Sequence, residues 1–180
     1  MTSKPMTFLV LPLAMASCSL RPACVPHAVG SSWPASSDSA SPCNPVPAEQ
    51  LNDIYEAVFR HLFEDNESAL RKKASVYFLE VQGGVDPDDE LLRRFGAQTP
   101  PVRPASEACF AEATSQVRSS TTSKDGLLFY VSSACLSGID EAEVSAGYYE
   151  ANLSSSGHLY IMKNVRGVWT VVSYSQHWIS

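Results

Sequence analysis

Basic residues are scarce in this chain. Its 180 residues hold 13 Lys and Arg against 19 Asp and Glu, a formal net charge of −6 at pH 7. A nucleic-acid binder needs a basic face to neutralise phosphates, so that class is excluded. No apolar run reaches the roughly 18 residues that a membrane-crossing helix requires, which excludes a multi-span membrane protein. Neither HExxH nor CxxC occurs. His27, His61, His158 and His177 have no His, Cys or carboxylate at metal-ligand spacing, so neither a metal nor a cofactor is expected. Ser155-Ser156-Gly157-His158 does not match the GxSxG of a nucleophile elbow and reads as a hairpin turn. What is present suits a globular domain: 44% of residues are apolar and 9% aromatic, too many for a disordered chain.

The N-terminus has a distinct shape. Lys4 is followed by Met6-Thr7-Phe8-Leu9-Val10-Leu11-Pro12-Leu13 and then by small residues, the pattern of a secretory signal peptide over residues 1–17. Two cleavage readings compete. Ala14-Met15-Ala16 fits an ordinary signal peptidase. Met15-Ala16-Ser17-Cys18 resembles the lipobox of bacterial lipoprotein precursors, with Met15 standing where that family prefers Leu. The resemblance implies that Cys18 becomes the mature N-terminus and carries lipid such as palmitate on its sulfur. Ser19, not being Asp, then implies the outer membrane. Cysteine parity favours this reading. With Cys18 acylated, Cys24, Cys43, Cys109 and Cys135 remain, an even number suited to an oxidising compartment. Export to the periplasm or medium without lipid is the alternative.

Residues 18–47 read as a tether. Positions 19–47 hold seven Ser and six Pro, with only Arg21 and Asp38 charged. Such a stretch buries too little to offset its ordering entropy. Extended at ~3.1 Å per residue, it would reach on the order of 90 Å. Cys24 and Cys43 are candidates to close a loop inside it.

Residues 48–180 are expected to form one α+β domain. Leu51, Ile54, Tyr55, Val58, Phe59, Leu62 and Phe63 recur at helical spacing after Pro47. A short second helix is expected over Ser68 to Lys73. Val76 to Val81 is rich in strand formers. Asp86 then caps a helix that starts at Pro87 and stops at Gly96. Asp88, Asp89 and Glu90 lack EF-hand spacing and suit the positive end of that helix. Strands are expected over 107–118, 126–136, 141–152, 157–165 and 168–178, as a meander of antiparallel hairpins. Helices first and hairpins later predict N-terminal helices packed on a curved antiparallel sheet.

The order of elements, and the run from Gly157 to Tyr174 with its Gly turn and Trp169, resemble the cystatin-like cone of the nuclear transport factor two and polyketide-cyclase superfamily. The Tyr148-Tyr149 to Trp178-Ile179-Ser180 segment is similar to uncharacterised bacterial proteins ending in Trp-Ile-Ser. The superfamily hosts enzymes and non-enzymes, so the resemblance does not decide activity.

The candidate catalytic group is Glu150. Period two places it on the same strand face as Ala142, Val144, Ala146 and Tyr148, where a cone would open. His158 and His177 are expected on neighbouring strands within its reach, which would suit acid-base work. His61 reads as a structural or solvated helix residue. Arg93-Arg94 and Arg71-Lys72-Lys73 read as solvated faces. Cys109 and Cys135 are expected on adjacent strands, where a cross-strand disulfide is geometrically allowed. With no catalytic motif, the leading expectation is an envelope lipoprotein whose domain binds a protein or small-molecule partner without catalysis. The alternatives are an exported cyclase- or isomerase-like enzyme built on Glu150, and an assembly or inhibitor subunit.

Overall fold

The computed structural model describes residues 24–26 and 44–179. The expected signal peptide and most of the expected tether lie outside these, as do Cys18, His27 and Cys43. In chain order the elements are β1 (Cys24–Pro26), β2 (Asn44–Pro45), α1 (Ala48–Glu64), β3 (Val76–Val81), α2 (Asp89–Arg94) and β4 (Val102–Pro104). A 3-10 turn (Ala105–Glu107) leads into β5 (Ala108–Ala111) and β6 (Val117–Ser119). Four long strands follow: β7 (Gly126–Leu136), β8 (Glu141–Ala151), β9 (Ser154–Val165) and β10 (Val168–Ile179). The architecture is mixed α/β around a sheet.

The apolar stripe of α1 does what its spacing predicts. Ile54, Tyr55, Val58, Phe59, Leu62 and Phe63 are buried. They pack against Tyr77, Leu79, Leu127, Phe129, Val131, Val144, Tyr148, Tyr160 and Met162. Phe63 sits amid aromatic neighbours, with ring centroids 4.9 Å from Tyr77 and 5.0 Å from Phe129. The second helix begins later than expected. Asp88, not Asp86, is the cap, its carboxylate accepting from the Leu91 amide at 2.7 Å. That bond, followed by those from Asn52, holds the Asp88 carboxyl below its usual pKa. Asp86 instead accepts from the Ser106 amide. Arg94 is no solvated charge: it binds Asp53 at 2.6 Å, Glu56 at 3.1 Å and Glu90 at 2.9 Å, clamping α2 to α1. The helix expected over Ser68 to Lys73 is a series of turns. Ser68 Oγ accepts from the Leu70 amide, a local bond that competes with helix formation there.

Seven strands form the main sheet, in the order β10-β9-β8-β7-β3-β4, with β2 pairing β7 beyond that path. The meander β7 to β10 is antiparallel, as expected. The antiparallel sheet as a whole is not: β3 runs parallel to both β4 and β7. Parallel neighbours need crossover connections, and α2 supplies the one from β3 to β4. Every residue of β3 is buried, as befits a strand covered on both faces.

The stretch 107–118 is not one strand. It breaks at the Thr114-Ser115 turn, where Ser115 adopts φ 51°, and β5 and β6 fold back on each other. With β1 they make a separate three-stranded sheet in the order β1-β5-β6. Val76, Phe78, Ala105, Ala108, Val117 and Leu128 form a second, smaller core on that side. Cys24 to Pro26, expected within the tether, is therefore a strand of the domain. It pairs with Ala111 to Cys109, and Cys24 is disulfide-bonded to Cys109 with Cα atoms 5.6 Å apart.

The expected pairings Cys109–Cys135 and Cys24–Cys43 are thus replaced by Cys24–Cys109. The cause is the broken strand, which puts Cys109 in the small sheet and Cys135 on β7 in the large one. The turn expected over Ser154 to Gly157 is also displaced: those residues begin β9. Gly157 serves close packing, because a Cβ there would collide with the Trp178 indole. Gly147, its cross-strand partner, has the same need against Tyr130 and the Ser156 carbonyl.

Candidate functional site

Period two on β9 turns Ser156, His158, Tyr160 and Met162 toward α1. Their partners on β8 are Tyr148, Ala146, Val144 and Ala142. On β10, Tyr174 lies opposite Tyr160 and Gln176 opposite His158. The last turn of α1 brings His61 over these strands, and Asp65 caps the helix. The result is a cluster of two histidines, two tyrosines and one carboxylate. The His61 ring lies 5.5 Å from Tyr160 and 5.8 Å from Tyr174, centroid to centroid. The His158 ring lies 5.8 Å from Tyr160 and 5.4 Å from Tyr174. Asp65 Oδ2 is 3.9 Å from His61 Nε2 and accepts from the Tyr174 hydroxyl at 3.4 Å.

Two polar atoms of the cluster are buried without a hydrogen-bond partner: His61 Nε2 and His158 Nδ1. Each such atom carries a desolvation cost unless something meets it. Burial pushes the His158 pKa down, while Glu67 and Asp65 pull it the other way and His177 and His61 add to the fall. His158 is accordingly a neutral imidazole at neutral pH. Burial also raises the Tyr160 phenol well above its usual range, with Tyr174 and Asp65 contributing. His158 and Tyr160 thus offer a neutral imidazole and a neutral phenol beside the Asp65 carboxylate, between aromatic walls.

Glu150 falls at a register shift between Tyr149 and Ala151, where the strict alternation of β8 is interrupted, and its partners differ from those expected. Oε2 accepts from Ser68 Oγ at 2.7 Å and from Ser154 Oγ at 2.9 Å. Its hydrogen bonds therefore fasten the turn after α1 to the β8–β9 hairpin instead of reaching His158 or His177. His177 falls at a bulge, between Gln176 opposite His158 and Trp178 opposite Gly157, and is exposed.

His61, Tyr160, Tyr174 and Asp65 are the members that sequence reasoning missed. The signal was there: His61 borders the apolar stripe and stands four residues before Asp65. A cavity of about 450 Å³ lies away from the cluster, lined by Asp89, Arg93, Phe95 and Arg103. A second, of about 460 Å³, borders the cluster through Asp65 and is also lined by Ser68, the hydrogen-bond partner of Glu150. Among the described residues, no group of three or more His, Cys, Asp or Glu is arranged to hold a metal. No helix among them is long and apolar enough to cross a membrane. Compared with family models, curated proteins and solved structures, the chain matches none.

Proposed function

We propose that this chain is an exported, lipid-anchored envelope protein whose domain binds a partner or small ligand without catalysis. The observation that carries the export half is the Cys24–Cys109 disulfide, since such bonds persist in oxidising compartments. The lipobox-like Met15-Ala16-Ser17-Cys18 supports the anchor, and Ser19 after it favours the outer membrane. Mass spectrometry of the mature N-terminus from native cells tests this. A diacylated or triacylated Cys18 is expected; an intact Met1 start, or cleavage after Ala16, would overturn it.

The binding half draws its support from the cluster of His61, His158, Tyr160 and Tyr174, in which His61 Nε2 and His158 Nδ1 are buried without a hydrogen bond. The alternative, a cyclase- or isomerase-like enzyme built on Glu150, loses support because that carboxylate is bonded to Ser68 and Ser154. The assembly-subunit reading keeps one supporting observation. β10 is an edge strand of twelve residues with no Asp, Glu, Lys or Arg, and Val172, Tyr174 and Ile179 are exposed on it. Long edges without Lys, Arg, Asp or Glu favour strand addition by a partner. A cystatin-like cone remains our proposal for the architecture. It is supported by α1 lying against β7, β8 and β10, and by bulges in β7 and β10 that bend the sheet.

A further inference from the structure

We propose that in the acylated protein the domain is held close against the lipid surface, with the β5–β6 end toward the headgroups, rather than standing off it on a long tether. This rests on the reading of Cys18 as the lipid carrier. Cys24 follows only six positions later, and it is covalently joined to Cys109 and strand-paired with β5. Six residues span at most about 20 Å when fully extended. A linker free from 19 to 47 would reach on the order of 90 Å. The disulfide therefore removes most of the expected reach.

It also selects the face. Cys24 lies opposite Ala111, the last residue of β5, so the chain toward Cys18 leaves beside the turn from Glu112 to Gln116. That turn has one charged residue, Glu112, while Ala113 and Thr114 are exposed. The same end carries the exposed Leu153. Phe110 packs edge-on to Tyr149 at 5.5 Å, and the Tyr149 hydroxyl donates to Asn152 beside Leu153. Ile139, 95% exposed, precedes the opposite end of β8, whose length of eleven residues is roughly 36 Å. With no basic residue in the Glu112 to Gln116 turn, the apposition depends on the short covalent link and not on anionic headgroups.

The test uses the full acylated chain, purified from a bacterial host that processes lipoproteins and reconstituted in phosphatidylcholine vesicles containing a headgroup nitroxide quencher. A fluorophore is placed through a ketone-bearing residue at Ala113 or at Ile139. Quenching at Ala113 is expected to exceed that at Ile139 at least threefold. Inserting twenty Gly and Ser residues between Leu20 and Arg21, ahead of β1 in the chain, is expected to remove most of the Ala113 signal. Equal quenching at the two positions, or an Ala113 signal unchanged by the insertion, overturns the apposition while leaving the anchor intact. A chain that stays off the vesicles with an unmodified Cys18 overturns the anchor and the apposition together.

Discussion

On one face of the main sheet a 17-residue helix buries six large side chains; on the other, a sheet whose outer strand has three residues covers a core of six residues, two of them Ala. The α1 face is held by packing. Each of its buried side chains contributes about 2 kcal/mol by removal from water, and no redox condition alters that. The β1 face cannot be held this way. Val25 is half exposed, and the pairing of Cys24 to Pro26 is too short to persist alone. A covalent bond does the holding there. One face is thus stable whatever the redox condition, while the other keeps its outer strand only where thiols oxidise, and on that difference the proposed export rests.

Four changes sharpen or break that contrast. Phe59→Ala, at a position with no exposed surface, should cost about 3–5 kcal/mol, read by urea unfolding, under oxidising and reducing conditions alike. If its cost vanished on reduction, the two faces would not be independent. Cys24→Ser opens a loop of 85 residues and should cost roughly 2–4 kcal/mol in oxidised protein and almost nothing in reduced protein. Equal effects in both states would remove the contrast. Ser68→Ala takes a hydroxyl from Glu150 and should cost about 1–2 kcal/mol, a change confined to the α1 side. Its hydrogen-exchange signature should appear at the β8–β9 hairpin and spare β5.

The smallest effect concerns pH. Burial depresses the His158 pKa in the folded state, so between that value and the unfolded one near 6.5 the unfolded chain binds more protons. Stability is fully present above about pH 6.5 and falls as pH drops toward the folded pKa. Asp65 and Glu67 oppose the shift while His61 and His177 reinforce it. His158→Gln should flatten the thermal-stability profile between pH 7.5 and 5. An unchanged slope would mean that His158 is not the titrating group.

Much of the α1 face was legible in the residues. The three-and-four spacing from Leu51 to Phe63 marks the helix, and the alternation of Ala142, Val144, Ala146 and Tyr148 marks the buried face of β8. The ends of β7 and β8 fall where turn residues predict. The opposite face was not legible. Five cysteines allow several pairings, and local pattern does not say that Cys109 sits in a second sheet. The parallel pairing of β3 with β7 joins segments about 50 residues apart, so hairpin logic misses it. Gly157 looked like a turn residue because close packing against Trp178 leaves no local trace. The partners of Glu150 were missed for a related reason: Ser68 comes to it from 82 positions away.

The measurement that bears most directly on the account is non-reducing peptide mapping of the native protein, alkylated in intact cells before lysis. The account predicts a linked pair of peptides carrying Cys24 and Cys109, released only after reduction. Recovery of both residues as separate alkylated thiols would contradict it, and with it the oxidising address and the covalent hold on the outer sheet.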